Sequence, residues 1–286
     1  MNARRGQKLQ PLLACLVLVA VTALWGSTFV LVKDVISRYP TLPFLALRFA
    51  LGLLVMALVL RRMPSRPVVR AGIPIGLALA GGYLLQTFGL ATTSPANAGL
   101  ITGLFVVFTP LLGRLFGGPL EPRTVVAVTV ALAGTALLAG GATAHVGVGD
   151  LLVLGCAACF ALQIVLLGRW APGLPPGPLT MVQMATCAVL FAGAGATQFR
   201  VPDAGVWLAV VVLGVFASAL SFLAQTWAQS HLAPTQTALV LALEPAWALV
   251  AAVLLAGQRL NGVQGLGAAL LLGAITLHEL RPRRPR

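Results

Sequence analysis

Apolar segments long enough to cross a lipid bilayer follow one another along almost the whole chain. About 20 apolar residues span the hydrocarbon core as a helix. Because lipid offers the backbone no hydrogen-bond partners, such segments form helices. We therefore predict an all-α membrane protein with ten transmembrane helices. The ten segments are Pro11–Val32, Thr41–Leu60, Ala71–Ala91, Ala96–Phe116, Val125–Ala142, Gly149–Leu167, Pro178–Ala196, Gly205–Ala228, Thr235–Ala256 and Asn261–Leu277.

Composition agrees with a membrane protein and argues against other classes. Charged residues make up 9% of the 286 residues, whereas soluble domains carry about 25%. The net charge of +13 does not indicate nucleic-acid binding, because the basic residues lie in short runs between apolar segments. The four cysteines fall inside apolar segments, and the three histidines are far apart in sequence. No metal-ligand spacing follows from them, and we expect no cofactor.

The basic residues also predict an orientation. Positive charge accumulates on the cytoplasmic side of membrane proteins. With the N-terminus inside, the inner segments hold fourteen basic residues and the outer segments hold four, Lys33, Arg38, Arg200 and Arg259. We therefore expect a multi-pass protein of the cell (inner) membrane with both termini in the cytoplasm.

An internal repeat divides the ten segments into two groups of five. Gln86 and Gln225 are each followed by threonine, and nine residues later come Pro95 and Pro234. Both pairs are separated by 139 positions. Because five is odd, the second group must insert upside down relative to the first, as in transporters built from inverted repeats. The two predicted repeats are residues 11–142 and 149–277.

One carboxylate, Glu244, lies near the middle of the ninth apolar segment and is followed by Pro245. A charged side chain at that depth costs about 2.5–3.5 kcal/mol on insertion scales. The proline removes a backbone donor, and lipid tolerates such a break only beside protein or a water-filled cavity. We therefore predict that Glu244 faces a central cavity. The alternative is a protonated glutamate bonded to a neighbouring helix.

Polar side chains inside the other apolar segments are the remaining candidates for a substrate site. They should face the interior of the bundle, although each could also serve as a hydrogen bond between helices. Arg48 could pair with Glu244, could anchor its helix toward an interface, or could hold one end of a zwitterionic substrate. The predicted substrate-binding residues are Trp25, Ser27, Thr28, Arg48, Tyr83, Gln86, Ser221, Gln225 and Thr237.

With these residues in view, the chain resembles an EamA-type member of the drug/metabolite transporter superfamily. The resemblance covers about residues 11–277 and rests on five short motifs and a turn. They are Trp25-Gly26-Ser27-Thr28-Phe29, Leu47-Arg48-Phe49, the run from Thr93 to Phe108-Thr109-Pro110, Ala233-Pro234-Thr235, Leu243-Glu244-Pro245 and the turn from Gly257 to Leu260. It implies ten spans in two inverted EamA repeats, an inner membrane, small metabolites as cargo and commonly export.

Two positions depart from the pattern of that family. Gln258 stands where members usually carry glutamate, and the matching region of the first half, Gly118 to Glu121, is shortened and rich in proline. Neither change affects the predicted fold.

The function predicted from these observations is secondary active transport. The chain has no GxxxxGK[ST] motif, so it carries no nucleotide-driven motor of its own. Burial of Glu244 disfavours its charged form, and we expect it to couple transport to protons. The predicted protein is a proton-coupled exporter of amino acids or similar compounds that works by alternating access. The alternatives are an uncoupled facilitator or channel, and multidrug efflux of amphipathic compounds.

Other classes of protein have little support in the sequence. Motifs of intramembrane proteases are missing, so we do not expect an enzyme. The expected partners are a small-molecule substrate and the lipid bilayer, without nucleic acid. The sequence leaves a homodimer open.

Overall fold

A computed structural model of the protein describes residues 2–60, 63–118, 120–138, 147–247 and 262–279. All the regular structure in these ranges is helical. A π-helical stretch covers Leu213–Leu220, and a short 3₁₀ turn covers Ala196–Gln198. The helices are α1 Asn2–Arg38, α2 Thr41–Leu60, α3 Arg66–Thr92, α4 Pro95–Thr102, α5 Phe105–Leu115, α6 Pro122–Leu138, α7 Val148–Trp170, α8 Pro176–Gly195, α9 Ala204–Val212, α10 Ser221–Gln229, α11 Pro234–Leu241 and α12 Gly262–Glu279.

Seven helical stretches among the described residues are long and apolar enough to cross a membrane. They correspond to the predicted spans one to four and six to eight, which confirms a multi-pass helical membrane protein. The predicted fifth and tenth spans appear as shorter apolar helices, Pro122–Leu137 and Gly262–Ala274. The ninth begins as α11, but its part beyond residue 247 lies outside the described residues, as do Gln258, Arg259 and the turn around them. The count of ten spans therefore stays a prediction.

The fourth and ninth segments are broken, whereas the sequence predicted a continuous fourth span. α4 and α11 each contain eight residues and each begin with a proline, which is preorganised for the first turn of a helix. Two-residue turns, at 103–104 and 242–243, end them, and helix resumes at Phe105 and at Glu244. Equivalent points in the two segments are 139 positions apart, the separation found in the sequence repeat.

The packing of the first five segments against the last five follows one pattern. α2 packs on α8, α5 on α11 and α6 on α12. α3 packs against α7 and α8, and correspondingly the helix from α9 to α10 packs against α1 and α2. α4 and α5 contact α7, as α11 contacts α1. Each of these contacts between two segments thus recurs when both are exchanged for their counterparts.

One end of the bundle, where α1 and α3 finish, is held by polar contacts. Lys33 Nζ donates to the carbonyl oxygens of Leu90, Ala91 and Thr93 at 2.6, 3.0 and 3.0 Å, because the last carbonyls of α3 have no partner within the helix. Thr93 Oγ1 donates to Asp150 Oδ1 at 2.6 Å.

A second polar contact joins α1 to α9 at the same end. Arg38 forms ion pairs with Asp34 at 2.7 Å and with Asp203 at 3.2 Å. Asp203 is also the N-cap of α9, and the N–H that Val206 donates to its carboxylate lowers the pKa of Asp203.

The opposite end of the bundle relies on close approach of backbones. A Cβ placed on Gly168 of α7 would lie 2.5 Å from Pro234 Cγ at the start of α11, and one on Gly177 of α8 would lie 2.5 Å from Leu60 Cδ2. Small residues allow helices in lipid to approach so closely. Arg169 Nη1 adds a hydrogen bond to the carbonyl of Phe116 at 3.1 Å.

The glycines of α6 and α12 give a test of this packing. A Cβ on Gly134 would lie 2.7 Å from the backbone oxygen of Gly267, which cannot move cheaply, whereas a Cβ on Gly273 would meet no described atom within 4 Å. We expect Gly134→Ala to destabilise the protein by about 1–3 kcal/mol, as overpacking does. Gly273→Ala, at the matching position 139 residues later, should be neutral or gain up to about 1 kcal/mol of helix propensity. Thermal melting in detergent measures both, and equal midpoints for the two variants would contradict the α6–α12 contact.

Candidate functional site

A cavity of about 50 Å³, counted as the space open to the centre of a water molecule, lies between the two groups of helices. Ligand pockets usually measure about 300–1,000 Å³, so this cavity is small for a ligand site. Polar and aromatic side chains share its wall with aliphatic ones. The lining residues are Trp25, Thr28, Phe29, Val32, Arg48, Tyr83, Gln86, Leu90, Thr102, Phe105, Phe160, Gln163, Ile164, Phe222, Gln225, Leu241 and Glu244.

Most of these positions occur in pairs, one from each half of the chain. Three pairs are separated by 135 positions. Four pairs are separated by 139 positions, the separation of the repeated Gln-Thr motif. The pairs are Trp25 and Phe160, Thr28 and Gln163, Phe29 and Ile164, Tyr83 and Phe222, Gln86 and Gln225, Thr102 and Leu241, and Phe105 and Glu244.

Four aromatic rings from both halves form one wall of the cavity. The rings of Trp25 and Phe222 lie 5.1 Å apart, and Tyr83 packs edge-on against Phe160 at 5.4 Å and against Phe222 at 6.0 Å. Such tilted arrangements are the favourable ones for aromatic pairs. Trp25 Nε1 donates to the carbonyl of Ala217 at 2.8 Å, which fixes the indole in the wall.

Arg48 is a buried cation without an anionic partner among the described residues. Its guanidinium donates from Nε to Ser218 Oγ at 2.8 Å and from Nη2 to Tyr83 Oη at 3.1 Å, and its Cζ lies 4.6 Å from the centre of the Tyr83 ring. The side chain is 3% exposed, so Arg48 does not reach toward an interface. Among the described residues it forms no ion pair with Glu244. A guanidinium held in this way retains donors for a carboxylate.

Glu244 lies directly after the 242–243 turn and is 7% exposed. Its carboxyl group lines the cavity, as the position beside Pro245 predicted. Its side chain makes neither an ion pair nor a hydrogen bond with any described residue, so the alternative of a glutamate bonded to a neighbouring helix is not seen in this part of the chain. The cavity therefore contains a carboxyl group that can exchange a proton or accept a donor from a ligand.

A row of four buried glutamines extends from the cavity into the bundle. Gln163 Nε2 donates to Gln183 Oε1 at 3.3 Å, and Gln225 Nε2 donates to Gln163 Oε1 at 3.2 Å and to Gln229 Oε1 at 3.0 Å. Each of the four is at most 2% exposed. Gln163 was missed as a site residue, although the repeat could have identified it, because it matches Thr28 at 135 positions.

Three of the residues predicted from the sequence do not line the cavity. Ser27 is exposed and donates to the carbonyl of Leu24 on its own helix at 2.7 Å. Successive helical residues point in different directions, so Ser27 cannot share a face with Thr28. Ser221 is buried, but its hydroxyl donates to the carbonyl oxygen of Phe216 within the π-helical stretch. Thr237 is buried within α11. The other seven line the cavity: Trp25, Thr28, Arg48, Tyr83, Gln86, Gln225 and Glu244.

Comparison with known families and proteins adds independent information. The model of the EamA-like transporter family matches twice, at residues 12–140 and 147–278. An uncharacterized transporter of Archaeoglobus fulgidus is 31% identical over 94% of this chain and 87% of its own length. The uncharacterized inner membrane transporter YedA of Escherichia coli K12 is 26% identical over 96% of this chain and 93% of its own.

The chain is also similar to a relative with a named activity and to a protein of known structure. The threonine/homoserine exporter RhtA of Salmonella typhimurium is 31% identical over 84% of this chain and 82% of its own length. A protein crystal structure superposes with a TM-score of 0.74 over 93% of this chain and 96% of that one, at 24% identity. This second similarity concerns the fold alone.

The contact between Arg48 and Tyr83 can be tested by removing one oxygen. Tyr83→Phe leaves a buried guanidinium donor without its acceptor, and hydrogen bonds to charged groups contribute about 1.5–3 kcal/mol. We expect a clear drop in the melting temperature of the purified protein. Tyr39→Phe is the matched control, since that hydroxyl donates to the neutral carbonyl of Arg200 at 2.7 Å and neutral bonds contribute about 0.5–1.5 kcal/mol. A smaller loss for Tyr83→Phe than for Tyr39→Phe would contradict the account of Arg48.

Proposed function

Because the chain belongs to the EamA-like transporter family, we propose that it is a secondary active exporter of small zwitterionic metabolites, such as amino acids, that works by alternating access. The family match covers nearly the whole chain. The activity in the name of RhtA, export of threonine and homoserine, supports amino acids as cargo.

The paired lining of the cavity is the observation that carries this proposal. Seven pairs of equivalent positions from the two halves surround one space, which is expected where a pseudo-twofold axis runs through it. Broken helices at matching positions and the recurring helix contacts support the same symmetry. Inverted repeats with a midplane site between discontinuous helices are a common transporter architecture. We accordingly propose ten transmembrane helices in two inverted repeats, residues 11–142 and 149–277.

The polar groups of the cavity suit a cargo with opposite charges at its two ends. Arg48 offers a guanidinium to a carboxylate, and Glu244 offers a carboxyl group to an ammonium. Since the two do not pair with one another among the described contacts, both remain available to the cargo. The aromatic wall formed by Trp25, Tyr83, Phe160 and Phe222 would contact the rest of the molecule.

Glu244 is also the proposed proton carrier. An acid enclosed in protein and lipid is more easily neutral than charged, so binding of an ammonium beside it favours release of its proton. The same group would take up a proton when the cargo leaves on the other side. Competition of this kind couples export of the cargo to entry of protons.

Coupling through Glu244 can be tested in liposomes. The purified protein is reconstituted with radiolabelled homoserine, and an imposed pH gradient is used to drive accumulation. We expect Glu244→Gln to abolish accumulation against the cargo's own gradient, because the amide cannot release a proton. Glu121→Gln, between α5 and α6 and away from the cavity, should behave like the wild-type protein.

Three results would each contradict a different part of the proposal. Accumulation by Glu244→Gln at the wild-type level would show that protons are coupled elsewhere. Flux that does not saturate, without counterflow, would indicate the facilitator or channel alternative, and stronger competition by amphipathic cations than by amino acids would indicate multidrug efflux.

We further propose that both termini lie in the cytoplasm. In this orientation the cytoplasmic segments contain fourteen basic residues and the outer segments contain four. This distribution agrees with the positive-inside rule. A green fluorescent protein fused to the C-terminus should therefore fluoresce, and alkaline phosphatase fused there should be inactive. The reverse pattern would overturn the orientation.

A further inference from the structure

The orientation of the buried glutamine amides is fixed from one end by a backbone carbonyl. Gln183 Nε2 donates to the carbonyl oxygen of Leu179 at 3.4 Å and to Thr226 Oγ1 at 3.3 Å. Because a carbonyl can only accept, this contact keeps Nε2 of Gln183 on that side and turns its Oε1 toward Gln163. Gln163 must then present Nε2 to Gln183, which leaves Gln163 Oε1 as an acceptor for Gln225.

A second carbonyl fixes the row from its other end. Gln229 Nε2 donates to the carbonyl oxygen of Ile164 at 2.8 Å. The Oε1 of Gln229 therefore faces Gln225 and can only accept there. Gln225 donates to it at 3.0 Å.

Both constraints meet at the amide of Gln225. A primary amide has two N–H donors, and Gln225 uses both, one toward Gln163 and one toward Gln229. A flipped amide would place its oxygen against two other oxygens. The Oε1 of Gln225 therefore has to point away from the row, and it is a buried atom without a hydrogen-bond partner in the part of the chain that the structure describes.

The counterpart of Gln225 in the first half is bonded differently. Gln86, 139 positions earlier, donates to the hydroxyl of Thr102 at 3.3 Å. The residue that corresponds to Thr102 is Leu241, which offers no polar atom. The row of glutamines and its unpaired oxygen thus belong to the second half, the half that also contributes Glu244.

We propose that Gln225 Oε1 is a specificity-determining acceptor that binds an N–H of the cargo's ammonium group, next to the ionic contact with Glu244. The assignment rests on the proposed function, because it requires a zwitterionic cargo in this cavity. Gln225 and Glu244 line the same space, and the row holds the acceptor in place before the cargo arrives. Such preorganisation favours an amino group over a group that cannot donate. Gln229 and Gln183 are then positioning residues that act through Gln225.

The test compares ligands that differ by one functional group. Binding of L-homoserine, of 4-hydroxybutyrate, which lacks the amino group, and of 3-aminopropanol, which lacks the carboxylate, is measured on the purified full-length protein. The readout is amino selectivity, the ratio of the Kd for 4-hydroxybutyrate to the Kd for homoserine. We expect Gln225→Met to lower this ratio about tenfold or more, since a lost hydrogen bond to a charged group has that effect on affinity. Binding of 4-hydroxybutyrate should change by less than about threefold, because it lacks the donor in question.

A second variant keeps the test decisive if Gln225→Met does not fold. Gln229→Met releases one anchor of the Gln225 amide without altering a lining residue, and it should lower amino selectivity by an intermediate factor. A role in folding alone would lower stability and leave the ratio unchanged. Gln198→Met, in the exposed turn after α8, is the matched control and should keep the wild-type ratio.

The outcomes separate this assignment from the proposed function. In one outcome, the wild-type protein prefers homoserine while Gln225→Met and Gln229→Met keep the wild-type amino selectivity. This result would overturn the assignment of Gln225 but not the proposal of a zwitterionic cargo. If the wild-type protein binds homoserine no better than 3-aminopropanol or 4-hydroxybutyrate, the zwitterionic cargo is wrong and the assignment falls with it.

Discussion

The burial of a guanidinium and a carboxyl group in one cavity, without contact between them, is the constraint on which the rest of the molecule depends. A charge removed from water is expensive unless polar groups or a counter-ion replace the solvent. Arg48 receives partial compensation from Ser218 and from the hydroxyl and ring of Tyr83. Glu244 receives none from the described side chains. The site is therefore incomplete without a ligand or a proton, and a transporter requires such a site.

The two ends of the bundle are held by different kinds of contact. At one end Lys33, Asp150 and Arg38 connect helices through hydrogen bonds and ion pairs. At the other, Gly168 and Gly177 let helices approach closely, and Arg169 adds a hydrogen bond to the carbonyl of Phe116. Partly exposed ion pairs contribute about 0–1 kcal/mol each, and small-residue contacts can separate without leaving a buried charge unpaired.

The sequence was most informative where a polar residue interrupts an apolar segment. Glu244 and Arg48 were predicted at the cavity for that reason, and both line it. Ser27 does not line the cavity, because residues that are adjacent in sequence do not share a helical face. Gln163 was missed although its polarity and its match to Thr28 were visible. Pro245 indicated a break in the ninth segment, whereas the break at 103–104 was not predicted. The hydrogen-bond orientation within the glutamine row depends on contacts between distant segments.

The central claim is that one carboxyl group exchanges its proton for the cargo, and proton release on binding tests it most directly. Homoserine is added to the purified protein in a weakly buffered solution, and a pH indicator reports the protons set free. We expect the wild-type protein to release about one proton for each homoserine that it binds. Glu244→Gln should bind homoserine without releasing a proton. Binding by the wild-type protein without proton release, or equal release by Glu244→Gln, would contradict the account.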